Sequence, residues 1–259
     1  MSRKIVITSG KGGVGKTTVT ASLALKLASM GERVVAVDGD LGLNNLDVAM
    51  GVEGKITYDI FDCMENRCRT KQAIVQSPWH KNLFLMPACF GRSRTTADVK
   101  GMRAVIEDLG RTFDYVLLDC PAGIDEGFRR AVACSEEALV VITPHVSAIR
   151  DADKVINLIT EARPYNVGLI VNKVRGDLAA SGDILTPEEI AGLLKVKLVG
   201  IIPDDDGIAS GLTLGGGKSE RAFKILAGNV HKNKHKLYDY AGKYSGFFGS
   251  IRRRLKKIL

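Results

Sequence analysis

Short apolar runs rich in Val, Ile and Leu punctuate the chain at 5–8, 34–37, 83–86, 115–118, 138–142, 168–171 and 198–202. They are continuous rather than alternating, so each predicts a strand covered on both faces. Between them lie longer stretches with apolar positions at helical spacing, at 16–30, 95–112 and 147–162. Strands alternating with helices predict an α/β fold, a doubly wound, mainly parallel sheet flanked by helices. Such a sheet takes its ligands outside the carboxyl ends of the strands.

A different periodicity closes the chain. At 100° per residue, Phe247, Ile258, Ile251, Leu255, Phe248 and Leu259 fall within an arc of about 120°. Arg253, Lys256 and Lys257 fall on the opposite side, with Arg252 and Arg254 at the edges. The pattern predicts an amphipathic helix over 246–259 that lies on anionic lipid, its basic residues contributing about 1 kcal/mol each near the surface. A helix docked on the protein's own body would show the same arc. A nucleic-acid-binding tail would not need it.

Charge sharpens this division. From Gly228 onward there are nine Lys or Arg and one acid, Asp239, so the tail carries a net charge equal to the +8 of the whole chain. The body is neutral, and the excess positive charge points to an anionic partner for the tail alone. We therefore expect a globular domain at 1–227, a basic linker at 228–245 and the amphipathic helix at 246–259. At 259 residues and 45% hydrophobic, the chain can bury one substantial core. Five scattered cysteines without C-x-x-C spacing fit a reduced cytosol. No apolar stretch reaches about 18 residues, so the expected location is cytoplasmic, peripheral on the inner face of the cell membrane.

The candidate chemistry begins after the first run. Gly10-Lys11-Gly12-Gly13-Val14-Gly15-Lys16-Thr17-Thr18 satisfies G-x-x-x-x-G-K-[ST] between a predicted strand and a predicted helix, the context of a P-loop NTPase. Glycines let successive N–H groups face phosphate oxygens, and the following helix adds its positive dipole end. Lys16 would reach the β and γ phosphates of ATP, and Thr17 would ligate Mg²⁺. The run at 34–37 ends in Asp38-Gly39-Asp40, and the run at 115–118 ends in Asp119, expected to hold Mg²⁺ through water. Asn172, at the end of another strand, can donate to and accept from an adenine edge, or it can cap a turn.

With its second lysine, the loop Lys11 to Thr17 resembles the K-G-G-x-G-K-[ST] signature of the deviant Walker A (MinD/ParA) family of P-loop ATPases. The resemblance implies that Lys11 contacts nucleotide held by a partner subunit, so that ATP drives a homodimer; a merely solvated lysine is the alternative. It also implies that Asp40 orients the attacking water and takes part in holding Mg²⁺ through water, and that Asp38 supports the loop lysines. Cys120-Pro121-Ala122-Gly123 resembles switch II, and Pro203 the other adenine-side segment. The stretches 38–47, 119–125 and 146–153 resemble the branch of the family that positions bacterial cell division, although flagellar-number ATPases share most of them. That branch implies a MinC-like division inhibitor and a MinE-like or other topological regulator as partners, with reversible, ATP-dependent membrane binding. His145 stands where the branch usually has glutamate and Asn44 where it usually has arginine, and the Gly-rich 210–221 segment departs from its pattern.

Other readings keep the same core. A DNA-partition ATPase would place the basic tail on phosphates and bind duplex with a steep salt dependence. A switch or scaffold with negligible turnover would bind ATP without consuming it. A nitrogenase-type reductase is disfavoured, because no cysteine lies in glycine-rich loops suited to a shared cluster.

Overall fold

A computed structural model of the chain describes residues 2–40, 45–88, 99–162, 165–205, 207 and 217–244. The strands are β1 (Arg3–Thr8), β2 (Val34–Asp38), β3 (Val75–Gln76), β4 (Leu83–Met86), β5 (Tyr115–Asp119), β6 (Glu137–Ile142), β7 (Asn166–Val174) and β8 (Lys197–Pro203). They form one sheet in the order β3-β4-β2-β5-β1-β6-β7-β8. Every pairing is parallel except β3 with β4. All seven expected strands are present. The eighth, β3, is two residues long and carries no periodicity of its own.

Helices cover both faces because the strands are apolar on both. Val6, Val35, Val37, Val116, Leu118 and Val140 pack on one side with α5 (Val99–Gly110), α6 (Glu126–Ala133), α7 (Val146–Ala162) and α9 (Pro187–Leu194). Their strand neighbours Ile5, Ile7, Val34, Ala36, Leu117 and Val141 pack on the other with α1 (Lys16–Ser29) and α10 (Glu220–Lys232). Residues one apart thus feed opposite layers, the signature of a two-sided sheet. The remaining helices are short: α2 (Leu46–Met50), α3 (Ile60–Met64), α4 (Thr70–Ala73) and α8 (Gly176–Ser181). Local chemistry rather than periodicity starts some of them. Asp59 and Asp62 form a reciprocal capping box at α3, as do Thr186 and Glu189 at α9, where Pro187 takes the first helical position.

The composition break at Gly228 falls inside α10. Beyond it, 233–244 run back over the body. Lys197 Nζ donates to Asn233 Oδ1 (2.7 Å), and Asn229 Nδ2 donates to the carbonyls of Val199 (2.8 Å) and Lys236 (2.6 Å). Tyr238 touches both core layers, so it lies at the margin of the sheet, where among the described residues β8 has no further strand beside it. Residues 245–259, with the expected membrane helix, lie outside the described residues. Among the described residues, no helix is long and apolar enough to cross a membrane.

A candidate nucleotide site at the carboxyl ends of the strands

The loop after β1 is shaped by what its glycines permit. Gly13 and Gly15 have φ of 76° and 93°, the left-handed region that a side chain disfavours. A Cβ on Gly15 would also lie 2.5 Å from Asn172 Nδ2, and one on Gly10 would lie 2.5 Å from the Asp151 carbonyl oxygen of α7. The loop can therefore nest only as glycine against its two neighbours. Helix α1 then opens at Lys16 with no side chain capping its first turn, which leaves its leading N–H groups for an anion.

Lys16 is buried, and its Nζ donates to Ser9 Oγ (3.0 Å), whose own hydroxyl donates to the Lys11 carbonyl (2.8 Å). Burial holds the ammonium below the usual lysine range, opposed by the charges of Asp119, Cys120 and Asp40. A polyphosphate here would favour the charged form.

The carboxylates converge because β2 and β5 are adjacent and in register, with Asp38 opposite Asp119. Burial pushes Asp119 up to about 6, against hydrogen bonding from Thr17, the charge of Lys16 and hydrogen bonding from Thr20, whose Oγ1 lies 3.1 Å from Oδ1. Burial and the neighbouring Asp119 push Asp38 up to about 8. Asp38 accepts from the Asp40 N–H (3.0 Å), and the Gly39 N–H donates to the Asp119 carbonyl (2.9 Å). Asp38 thus shapes the turn that carries half-buried Asp40 to the rim. Thr17, Asp40 and Asp119 offer only oxygen donors, the set Mg²⁺ prefers, and the buried Asp119 carboxylate is a group that a cation would relieve. The residues fit the ion.

The third wall comes from β7 and β8. Asn172 Nδ2 donates to the Val14 carbonyl (2.8 Å), and Lys173, at φ 56°, sends Nζ to the Gly13 carbonyl (3.0 Å). Together these elements enclose a cavity of about 490 Å³, within the range of small-molecule and cofactor sites. Of the residues singled out in the sequence, Gly12, Gly13, Gly15, Lys16, Thr17, Thr18, Asp40, Asp119, Asn172 and Pro203 line it. Val14 is buried behind the loop and Gly10 packs on α7. Lys11 is exposed on the outer lip and does not line the cavity. Sequence reasoning missed Asn45, Lys173, Asp204, Asp205 and Phe223, which also line it, and Ser9 and Thr20, which hold Lys16 and Asp119. Ser9 precedes the motif directly and Lys173 follows Asn172, so both stood beside the signal. His145 is exposed just before α7, while Asn44 and 208–216 lie outside the described residues.

Residues 5–213 match the CobQ/CobB/MinD/ParA nucleotide binding domain. The septum site-determining protein MinD of Synechocystis is 40% identical over 98% of this chain and 99% of its own length. The chain belongs to the MinD family. Bacillus subtilis MinD is 44% identical over 80% of this chain and 78% of its own. Among solved structures, the MinC:MinD cell division protein complex of Aquifex aeolicus gives a TM-score of 0.86 at 35% identity, covering 93% of this chain and 100% of that one. Pyrococcus horikoshii MinD, complexed with Mg-ADP, gives 0.80 at 32% identity, covering 90% and 97%. The match to Synechocystis MinD leaves only a few residues of this chain outside it, so the likeness to MinD extends into the basic tail. A ParA-family ATPase from Chlorobium tepidum, at 20% identity and a TM-score of 0.67, shares the fold.

Proposed function

We propose that this chain is an ATP-hydrolysing switch of bacterial division-site selection, dimerising with ATP, binding the membrane reversibly as a dimer and recruiting a MinC-like division inhibitor. The observation that carries this reading is the convergence of buried Lys16 with Asp40 and Asp119 around one cavity at the mouth of the glycine loop. The loop N–H groups and Lys16 would bind the phosphates, and Asn172 and Pro203 would flank the base. Mg²⁺, held by Thr17 and through water by Asp40 and Asp119, would neutralise charge on the β and γ oxygens. Asp40 would orient the water that attacks the γ phosphorus. Lys11, exposed on the lip, would reach the nucleotide of a second copy. Hydrolysis would then release the dimer and, with it, the lipid contact of 246–259.

Cosedimentation with anionic vesicles in ATP, in ADP and without nucleotide tests the reading. The expected result is strong binding in ATP alone, weakened by high salt or neutral lipid. Binding indifferent to nucleotide would refute the switch, and salt-sensitive retention by duplex DNA without lipid preference would favour the partition-type reading.

A further inference from the structure

The segment between α10 and the tail has contacts that a tether would lack. It begins on one face of the sheet, where α10 packs, and ends on the other, against α9 and α8. Asn229 pins the start: its side-chain amide bonds the Val199 and Lys236 carbonyls, and the Lys236 N–H returns to Asn229 Oδ1 (3.3 Å). Val199 is the extra residue where the β7–β8 register slips, so Asn229 bonds the carbonyl of a bulge. Leu237, Tyr238 and Tyr240 pack partly buried against the core, and Tyr240 Oη donates to Glu188 Oε2 of α9 (2.8 Å). At the far end, Gly176, the first residue of α8, has no space for a Cβ beneath the Tyr240 carbonyl. The ring of Tyr244 lies 3.1 Å from the same point, and the next residue in sequence is Ser245.

That end is close to the nucleotide cavity. Gly176 follows Val174 and Arg175 at the exit of β7; the Val174 carbonyl accepts from the N–H of Asp204, which lines the cavity (3.1 Å). We propose that 233–244 are a strap whose seat on Gly176 and Glu188 fixes the point where the tail leaves the body, on the rim that carries the nucleotide. This rests on the membrane reading above and names the residues that position its anchor.

The physical consequence concerns reach. A seated strap leaves only a residue or two between the body and the amphipathic helix. Released, its twelve residues would add a flexible chain with a root-mean-square span of about 20 Å to each tail. In an ATP dimer the second tail would insert as an intramolecular event, and once a tether exceeds the span it must cover, its effective concentration falls with length at about the −3/2 power or more steeply. Gly176 and Tyr240 are therefore positioning residues for lipid binding, remote from the phosphates.

Gly176→Ala would force a methyl group under the Tyr240 carbonyl, and Tyr240→Ala removes the ring and its hydrogen bond; Tyr240→Phe keeps the ring. Two readouts are needed: amide hydrogen exchange over 233–244 in the full chain without lipid, and binding to anionic vesicles in ATP and ADP. We expect Gly176→Ala and Tyr240→Ala to expose the Lys236 and Tyr244 amides and to weaken ATP-dependent vesicle binding about tenfold. ATP-driven dimerisation and the weak binding in ADP should stay unchanged, and Tyr240→Phe should retain most of the wild-type affinity. Wild-type amides that exchange like an unfolded chain would overturn the proposal. So would exposed amides in both alanine variants with vesicle binding intact. If wild type ignores vesicles in ATP, the membrane reading fails, and amides that are protected in wild type and exposed by Gly176→Ala would still show the seat.

Discussion

Asp38 and Asp119 stand opposite each other at the ends of neighbouring strands, and both are buried enough to resist ionisation. For an acid whose folded value is raised, the cost is absent below its unfolded value, grows above about pH 4 and is complete above the folded value, about 8 for Asp38. The nucleotide-free protein should therefore be more stable at pH 6 than at pH 8. Asp38 would supply about 2 kcal/mol of that difference, or about 5 °C in melting temperature. Asp38→Asn should flatten the slope. Thermal melts at the two pH values check this, and a slope unaltered in the variant would contradict it. Asp40 sits on the rim instead, and Asp40→Ala should bind ATP and dimerise yet hydrolyse about 10²-fold more slowly, because a water-orienting carboxylate acts on the attack rather than on the bound state. Single-turnover hydrolysis at the wild-type rate would remove Asp40 from the mechanism. At this scale the loop could be read from the sequence because its chemistry is local. Thr20 could not, since it meets Asp119 only through where β5 ends in space.

Elements were readable where they were long or strongly patterned. Seven continuous apolar runs became seven strands, and the helical stretches at 16–30 and 147–162 became α1 and α7. The stretch at 95–112 contains α5, with 95–98 outside the described residues. Helices of eight residues or fewer complete barely two turns, too few for an apolar stripe to declare itself, and only their caps betray some of them. The 233–244 strap was hidden for a related reason. Its basic composition reads as a linker, while its hold comes from three aromatic or aliphatic side chains and from a glycine on a distant helix. For the tail that follows, the apolar arc makes a sharp test. Leu255→Glu or Phe248→Glu places a charge on the apolar arc, so either should abolish vesicle recruitment while ATP-driven dimerisation continues. Vesicle pelleting of Leu255→Glu equal to that of wild type would show that the tail is not the anchor.

On the proposed function the whole molecule acts as half of a pair. Exposed Lys11 does not line the cavity of its own chain, so Lys11→Ala should leave nucleotide binding by the monomer near wild type but prevent ATP-dependent dimerisation. Light scattering behind size exclusion reads this directly, and a mutant that still dimerises in ATP would refute the cross-subunit role. A single helix with six apolar residues is a marginal anchor, and two on one dimer can raise avidity by about 10² to 10⁴-fold without new contacts. Such a pair needs a soluble body, and among the described residues the sheet ends at two edge strands to which copies could add. One is β3, too short to template a neighbour; the other is β8, seven residues long. On that side Asn229 takes the Val199 carbonyl and Asn233 accepts from Lys197, so the stretch proposed to seat the tail also engages polar groups of an edge strand. A chain cut at the charge boundary near Gly228 would lose these contacts along with the expected amphipathic helix, and we expect it to self-associate through β8. Cutting after Tyr244 removes 245–259 and leaves the Asn229 contacts in place.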